Sequence, residues 1–326
     1  MGTALKNEVT PGLKTFTLEK EFFLNYSSHY TRDSYHNDIE KFFLYLEEFF
    51  PEIKRPGDIE RAHVIEYRNF IQETGGIGAE AAAPKTVARK LASISSYFDY
   101  LTEKGQMKFN PASSVKRPRR EVRTPTNALS GPEVRNFIES INTQTPAGVM
   151  HKALLLVFFT TGLRKSEVLN LRRKDYKELT DYKILEFKGK GGKLGQKLLH
   201  PKCIEALENY LNFMKASCKE HGPNDWLFQP SRNPKDPSNT NKKINPRTVN
   251  EIIDHYAKKA GIVSKLCPHS ARATFITELL DAGVDIYKVA QEVNHASVNT
   301  TQEYDKRRKK LADSPVLKLR YYDDEK

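Results

Sequence analysis

Residues 267–304 read CPHSARATFITELLDAGVDIYKVAQEVNHASVNTTQEY, and this stretch decides the fold and the chemistry of the chain. It contains a His-x-x-Arg pair at 269–272, followed by His295 and then by Tyr304. An upstream segment, TTGLRKSE at residues 160–167, adds a second arginine and a glutamate. Two arginines, two histidines and one tyrosine in a fixed order are suited to cutting a phosphodiester without a metal ion.

The two arginines meet the first demand of such a reaction, which is charge. The five-coordinate transition state gains negative charge, and a guanidinium offers a planar pair of donors to the non-bridging oxygens. We expect Arg164 and Arg272 to take this role, each lowering the barrier by roughly 2.7–4 kcal/mol, as oxyanion-hole donors do. Taken alone, a Gly-Leu-Arg sequence such as that around Arg164 is more often a surface turn.

Tyr304 is the candidate nucleophile. A free tyrosine has a pKa near 10, so it needs help to lose its proton. Either His269 or a phosphate held by the arginines could give that help, and His295 could hold another phosphate oxygen. A covalent link to the tyrosine would conserve the bond energy, so that a second strand can be joined without ATP. The alternatives are a capping or core role for His269 and a helix-packing role for Tyr304.

The leaving 5′ oxygen needs an acid, and the glycine-rich sequence Gly189-Lys190-Gly191-Gly192-Lys193 supplies two candidates. We expect Lys190 to be that acid, with Lys193 as its rival, because glycines let the backbone approach DNA and let the tip move. Both could equally be lysines that only contact phosphates. Glu167 is expected to brace the site from behind Arg164, unless it is an exposed acid favoured by a helix start.

The composition fits a protein with a polyanionic partner. The chain has 326 residues, a net charge of +12 and a pI of about 9.3, which favour two domains and nucleic acid as a partner. No apolar run approaches the roughly 18 residues of a membrane span, and no signal peptide is apparent. The three cysteines lack metal-ligand spacing. We therefore expect no metal and no cofactor, and a reduced cytoplasmic setting close to the nucleoid.

The first part of the chain has the apolar spacing of helices. One helix carries an apolar stripe from Tyr35 to Phe49 and is expected to be capped by Thr31 or Asp33. Asp58 is expected to open the next helix and Gly75-Gly76 to close it. A third helix is expected over residues 85–101.

The later part of the chain is predicted to be helical with a small antiparallel sheet. A helix capped by Ser130 is followed by a buried one over 152–160. Two short strands are expected at 181–187 and 196–199. Further helices are predicted at residues 201–216, 245–260, 271–282 and 286–293.

A basic, proline-containing segment separates the two parts. The expected layout is a loose N-terminus at 1–11, a helical DNA-binding domain at 12–112, a linker at 113–128, a catalytic domain at 129–310 and a tail at 311–326. The residues expected to contact DNA are basic or hydroxyl-bearing, namely Lys85, Thr86, Arg89, Lys90, Lys116, Arg117, Arg119, Arg120 and Lys193. The alternative is an ordinary solvated face and a merely flexible linker.

Together these features resemble the tyrosine recombinase (phage integrase) family over roughly residues 15–310. The family signature is present in order, as Arg164, Lys190, His269, Arg272, His295 and Tyr304. The resemblance implies a two-domain C-shaped clamp on DNA, in which a SAM-like helical domain precedes the catalytic one. It also implies a homo-tetramer acting on two paired specific sites in double-stranded DNA, with a tail that is exchanged between protomers. Accessory DNA-bending or directionality factors are possible partners.

Two departures from the family pattern stand out. Asn294 takes the place of the usual glycine before His295, and His269-Ser270-Ala271-Arg272 replaces a frequent His-x-Leu-Arg. Neither removes a catalytic group, although asparagine adopts left-handed geometry less freely than glycine.

The resemblance implies a site-specific recombinase that forms a 3′-phosphotyrosyl intermediate. We expect it to integrate, excise or resolve a mobile element, with a chromosome- or plasmid-dimer resolvase of the Xer type as the alternative. A type IB-like topoisomerase and a non-catalytic DNA-binding regulator are further alternatives. The compact helical first domain and the tail disfavour the topoisomerase, and the intact catalytic set disfavours the regulator.

Overall fold

The computed structural model describes residues 18–76, 80–118, 126–217, 222–230, 241–305 and 316. The chain divides into two compact units, Met1–Arg123 and Thr124–Lys326. The expected loose N-terminus, the linker arginines Arg119 and Arg120, and the tail except for Val316 lie outside the described residues.

The described part of the first unit contains helices joined by loops and no β-strand. Its helices are α1 (Lys20–Leu24), α2 (His29–Phe49), α3 (Arg61–Thr74) and α4 (Pro84–Glu103). The predicted stripes form one core, in which Ile39 and Leu46 of α2 meet Ile71 of α3 and Leu91 of α4. Aromatic rings fill much of the remaining space, so this core is rich in edge-on ring contacts such as that of Phe42 with Tyr67.

Two predicted helix starts in this unit were wrong. Helix α2 begins earlier than expected, because the Ser28 side chain accepts a hydrogen bond from the backbone N–H of Thr31. Asp58 lies in a short 3₁₀ turn, and α3 starts after Glu60, whose N–H is bonded to the His63 ring. The predicted end of α3 is confirmed, since Gly75 takes a left-handed conformation with φ of 77°.

The second unit combines helices with a small sheet. Its helices are α5 (Gly131–Glu139), α6 (Pro146–Thr161), α7 (Lys165–Leu169), α8 (Pro201–Ala216), α9 (Pro246–Lys259), α10 (Pro268–Asp281), α11 (Ile286–Glu292) and α12 (Val298–Gln302). The strands are β1 (Tyr176–Leu179), β2 (Tyr182–Lys188) and β3 (Leu194–Leu198). The predicted fold class, mainly α with a small antiparallel sheet, is confirmed.

Helix α6 is the centre of this unit. It is apolar on all sides and buries a continuous run from Ala153 to Phe159, as a helix enclosed by others must. Helices α5, α8 and α10 contact it. The predicted capping of α5 is confirmed, because Glu133 accepts hydrogen bonds from the backbone N–H and the hydroxyl of Ser130.

The sheet has the order β1-β2-β3, and both pairings are antiparallel. Strand β1 was missed by the sequence reasoning, because its sequence YKEL has a single inward residue, Tyr176, and no apolar alternation. The glycine-rich segment joins β2 to β3 and includes a 3₁₀ turn at Lys190–Gly192. Helices α10 and α12 also differ from expectation: α10 begins at Pro268, and α12 was not predicted.

Candidate active site

The first arginine stands at the end of the central helix. Helix α6 stops at Gly162, which has a φ of 61° and no room for a side chain, since a Cβ there would meet the Phe275 ring at 2.5 Å. The turn that follows places Arg164 immediately before α7. The Arg164 side chain remains 41% exposed, which leaves its guanidinium open to a ligand.

Glu167 holds this arginine from beneath, as the sequence suggested. Its carboxylate accepts one hydrogen bond from the Arg164 backbone N–H at 2.7 Å and one from the guanidinium at 3.0 Å. Glu167 is only 5% exposed, so it is not the solvated helix-start acid of the alternative interpretation. A buried acceptor that bonds both ends of one residue restricts its rotamers and points the guanidinium in one direction.

Arg272 is almost fully buried, at 3% exposure. One terminal nitrogen donates to the carbonyl of Gly162 at 2.6 Å and the other to the carbonyl of Val293. A guanidinium has five N–H donors, so among the residues that the structure describes these bonds leave three for a ligand. Burial and the nearby positive charge of Arg164 lower the pKa of Arg272 to about 10, against smaller opposing effects of Glu167 and Tyr304, and the group is still charged at neutral pH.

His269 and Tyr304 meet in the same place. His269 is in the first turn of α10, and its Nε2 lies 2.9 Å from the Tyr304 hydroxyl oxygen. The tyrosine follows α12 and is only 8% exposed, with its ring packed in a small cluster that includes Val293. The hydroxyl group and a possible base are therefore within direct proton-transfer reach inside one chain.

His295 lies at a turn whose backbone explains the departure at Asn294. Helix α11 ends with paired bonds from Asn294 N–H to Gln291 and from His295 N–H to Ala290, which is the Schellman arrangement. This arrangement requires a left-handed residue, and Asn294 supplies it with a φ of 52°. The expected geometry of the family's glycine is thus kept by an asparagine.

The His295 ring stacks beside the Tyr304 ring, with centroids 6.2 Å apart, and its Nδ1 lies 2.9 Å from the buried Thr301 hydroxyl. Burial is the main reason that the pKa of His295 falls to about 4, and the charges of Arg272 and Arg164 lower it further. His295 is therefore neutral at physiological pH.

The glycine-rich turn begins next to this group. A Cβ at Gly189 would lie 3.9 Å from a carboxylate oxygen of Glu167, so the base of the turn adjoins the Arg164 pair. Lys193 is exposed and its carbonyl accepts from the Gly189 N–H at 2.8 Å. The backbone of Lys190 starts the 3₁₀ turn, while the position of its side chain lies outside what the structure describes.

Comparison with known proteins agrees with this geometry. Residues 127–310, more than half of the chain, match the sequence profile of the Phage integrase family, and residues 20–105 match that of its N-terminal SAM-like domain. The chain belongs to the phage integrase family. A relative of this integrase-family chain is the tyrosine recombinase XerC of Thermodesulfovibrio yellowstonii, at 31% identity over 85% of each chain.

Solved structures share the fold at low sequence identity. The XerH site-specific recombinase bound to a palindromic difH substrate matches with a TM-score of 0.67 and 20% identity, covering 89% of this chain and 80% of the other. A lambda integrase tetramer bound to a Holliday junction matches with a TM-score of 0.62 and 14% identity, covering 89% and 76%. Within the described residues of this integrase-family protein, no helix is long and apolar enough to cross a membrane.

Lys197 is a residue of the site that the sequence reasoning missed. It points inward from β3 with 3% exposure, and its ammonium donates to the main-chain carbonyl and the carboxylate of Glu292 at the end of α11. Burial lowers its pKa against the opposing effect of Glu292. No sequence signal marked it, because strand alternation would place Leu194 and Leu198 inward and Lys197 outward, and the structure shows the reverse.

The candidate DNA-contacting residues divide into two groups. Lys85, Arg89, Lys116, Arg117 and Lys193 are exposed, and Thr86 is half-buried. Lys90 is only 7% exposed, because its side chain lies on the inner part of α4. It is therefore not part of a fully solvated basic face, and burial lowers its pKa.

Arg89 has a partner that the sequence did not suggest. It forms an ion pair with Asp38 of α2, which is completely buried and also accepts a hydrogen bond from the Ser93 hydroxyl. The Arg89 side chain itself remains 46% exposed. Arg89 is thus both a tie between two helices and an available cation at the surface.

Proposed function

We propose that this recombinase cuts and rejoins DNA at specific sites through Tyr304. The Tyr304 oxygen attacks the scissile phosphorus, the bond from phosphorus to the 5′ oxygen breaks, and the phenolic proton passes to a base. The product is a 3′-phosphotyrosyl bond and a free 5′ hydroxyl, which takes one proton. The reverse steps, with the 5′ end of another strand, complete strand exchange without ATP or metal.

The observation that carries this proposal is the 2.9 Å contact between the Tyr304 hydroxyl and His269 Nε2. It supports His269 as the base for the nucleophile, because the proton has a direct path and needs no intervening water. The side chain of Tyr304 reaches the histidine of its own chain, which supports cleavage within one protomer. The resting position at 8% exposure implies that the ring shifts outward when DNA is cut.

The arginines are proposed to hold the phosphate. Arg272 bonds two carbonyls with its terminal nitrogens and keeps further N–H donors for a phosphate, and Arg164 presents an open guanidinium aimed by Glu167. His295 is proposed to add a neutral donor. If the Thr301 hydroxyl donates to Nδ1, the ring proton lies on Nε2, where it can bond a phosphate oxygen.

Lys190 is proposed to protonate the leaving 5′ oxygen. The turn that carries it begins beside Glu167, so a long flexible side chain from this turn can reach the phosphate held by Arg164. Lys193 stays as the rival, since its exposed side chain stands at the other end of the same turn.

Both units are proposed to contact DNA, the first through the exposed residues of α4 and the basic linker segment, and the second through the glycine-rich turn. The proposed assembly is a homo-tetramer on two paired sites, helped by accessory proteins where the reaction needs a direction, and the setting is the cytoplasmic nucleoid. The similarity in fold to a lambda integrase tetramer on a Holliday junction supports this assembly. Many phosphate contacts should make binding weaken steeply with salt.

The proposed biological role is to integrate, excise or resolve a mobile element. A Xer-type dimer resolvase is the second candidate, supported by similarity to relatives named XerD and XerC that covers 84–86% of each chain. The two roles differ in where the target lies. A mobile-element enzyme should act on DNA flanking its own gene. A dimer resolvase should act on a site of the chromosome or plasmid whose dimers it resolves, wherever its own gene lies.

Covalent trapping tests the proposal. The full chain is incubated with nicked fragments tiled across its own gene neighbourhood and the replication-terminus region, and products are separated on a denaturing gel. We expect a protein–DNA band with the natural chain and none with Tyr304→Phe, which removes only the hydroxyl. Tight DNA binding without any band on any fragment would contradict catalysis and favour a DNA-binding regulator. Relaxation of supercoils without sequence preference would favour a topoisomerase.

A further inference from the structure

Three consecutive carbonyl oxygens at the C-terminal end of α11, those of residues 292–294, each accept a hydrogen bond from a different cationic side chain. The carbonyl of Glu292 accepts a hydrogen bond from Lys197 and that of Val293 accepts one from Arg272. The carbonyl of Asn294 accepts one from Arg164 at 3.4 Å. Two of these cations belong to the proposed phosphate-binding pair. The third, Lys197, has no part in the steps described so far.

We propose that Lys197 is a positioning residue that fixes the turn of residues 292–295 and thereby aligns both arginines and His295. The proposal rests on the proposed function, since it concerns how the same site is held in shape. Lys197 does not act on DNA itself, because its ammonium is already bonded to Glu292 and lies in the protein interior.

The geometry of the helix end explains why a cation is needed there. The last carbonyls of a helix lack N–H partners, and the Schellman bonds satisfy only those of Ala290 and Gln291. The carbonyl of Glu292 is the next one along the chain, and it accepts a hydrogen bond from the Lys197 ammonium of β3. A positive charge at a helix C-terminus is also favoured by the helix dipole.

The position of Lys197 on the inward face of β3 buries a charged group, which is unfavourable for stability. Lys197 pairs with Leu185 across the sheet on the inward face, while Leu194 and Leu198 are exposed at 69% and 60%. A strand optimised for stability alone would bury the leucines, because a buried charge loses its hydration. The reversed pattern indicates that the contact with Glu292 serves the site more than the stability of the sheet.

The tie also connects the turn to the sheet that carries the glycine-rich segment. The charge of Arg272 lowers the pKa of Lys197 and that of Glu167 raises it, so the lysine lies within electrostatic range of both groups. Without the lysine, the Glu292 carbonyl would lose its hydrogen-bond partner. Of the side-chain contacts described above, only those of the two arginines would then hold the left-handed turn at Asn294.

The test compares Lys197→Met with a matched control, Lys177→Met. Lys177 is a lysine of the same sheet that pairs with Glu186 at 2.9 Å, far more exposed at 43%. Glu292 is 49% exposed, so water can solvate its carboxylate once the lysine is gone and the Lys197→Met chain should fold. Lys197→Gln keeps one donor for the carbonyl and serves as the second variant, with circular dichroism to establish folding of each.

Single-turnover cleavage on a DNA fragment trapped by the natural chain is the first readout. We expect Lys197→Met to cleave about 10- to 100-fold more slowly with DNA affinity nearly unchanged, Lys197→Gln to recover part of the rate, and Lys177→Met to match the natural chain. A rate equal to that of the natural chain, or a loss of affinity that accounts for the whole defect, would overturn the proposal.

A second substrate separates this role from an effect on the general acid. A sulfur atom in place of the bridging 5′ oxygen leaves without protonation, so a defect in delivering the proton disappears with it. We expect the Lys197→Met defect to persist on this substrate, because the turn and the arginines are misaligned. Full recovery would show that the lysine serves the glycine-rich turn instead, and would refute the assignment to residues 292–295.

Hydrogen exchange on the DNA-free protein gives a readout that needs no substrate. The amides of Asn294 and His295 should exchange roughly tenfold faster in Lys197→Met and unchanged in Lys177→Met, since local opening sets their protection. Unchanged exchange would overturn the proposal. If the natural chain forms no covalent adduct, the proposed function fails, while this measurement still decides whether Lys197 holds the turn.

Discussion

Each unit of the molecule contains an exposed arginine held by a carboxylate that solvent barely reaches. In the first unit, Arg89 is 46% exposed and Asp38 is fully buried; in the second, Arg164 is 41% exposed and Glu167 is 5% exposed. In both places a buried anion restricts a long, mobile side chain before any ligand arrives. Ordering the guanidinium in advance reduces the entropy lost on binding a phosphate.

The two pairs differ in what they connect. Glu167 and Arg164 lie one helical turn apart, so their pair organises a single turn and leaves the rest of the unit unaffected. Asp38 and Arg89 belong to α2 and α4, so their pair also holds two helices together. The same device therefore serves reaction geometry in one unit and helix packing together with surface charge in the other.

Replacing each arginine by lysine keeps the charge but loses the paired donors. The largest effect is expected for Arg164→Lys. Arg164→Lys should slow single-turnover cleavage by about 10²- to 10³-fold, as loss of a transition-state donor does, and leave DNA affinity nearly unchanged. Arg89→Lys should weaken DNA binding by less than about tenfold and leave cleavage at saturating DNA unaltered.

Gel-shift titration and single-turnover cleavage on the same fragment separate these outcomes. If Arg164→Lys lowered DNA affinity but left cleavage at saturating DNA unaltered, Arg164 would act in ground-state binding, as Arg89 is proposed to do. The comparison between the two units would then lose its basis.

The stability of the first unit should depend on the Asp38–Arg89 pair. Arg89→Ala removes the ion-pair partner of the buried Asp38 and should lower the free energy of unfolding by about 3–5 kcal/mol. Asp38→Asn removes the buried charge and leaves Arg89 half-exposed to water, so its cost should be smaller, about 1–3 kcal/mol. Urea unfolding of both variants measures the difference, and equal losses would mean that Asp38 is not effectively desolvated.

The last expected effect appears only in acid and is absent at neutral pH. Burial chiefly lowers the pKa of His295, and likewise that of His151 beside Tyr256, to about 4 from 6.5. Below pH 6.5 the unfolded chain therefore binds protons that the folded chain refuses. The contribution of each histidine to stability is fully present above pH 6.5 and is lost as the pH falls to about 4.

The slope of unfolding free energy against pH measures how many more protons the unfolded chain binds than the folded one. Between pH 6.5 and 4, His295→Asn and His151→Asn should each reduce that difference by up to about one proton. Denaturant titrations at several pH values measure these slopes. A slope unchanged in His295→Asn would mean that His295 is protonated in the folded protein near its ordinary pH.

Most of the candidate site was readable from the sequence because its residues lie in short motifs with local geometry. The distance from His269 to Arg272 spans one turn of a helix, and Glu167 stands one turn after Arg164, so each pair could be expected on one face. The meeting of Tyr304 with His269 followed only from the ordered motif set, since nothing local to the tyrosine specifies its partner.

What the sequence did not reveal depends on contacts between distant segments. The Asp38–Arg89 pair joins positions in separate helices, and the Lys197–Glu292 tie joins a strand to a helix end. Periodicity describes one element at a time and assigns charged residues to the outside. Strand β1 escaped notice for a related reason, because its place is set by pairing with β2 rather than by its own pattern.

The left-handed turn at Asn294 limits the mutations that the gene for this protein can carry. Glycine and asparagine adopt a φ near 52° at low cost, whereas a β-branched residue strains the backbone there. Because the same peptide segment accepts bonds from both arginines, such strain would reach the reacting groups directly. Genetic drift at this codon is thus confined to a few amino acids, even though its side chain has no proposed role in the chemistry.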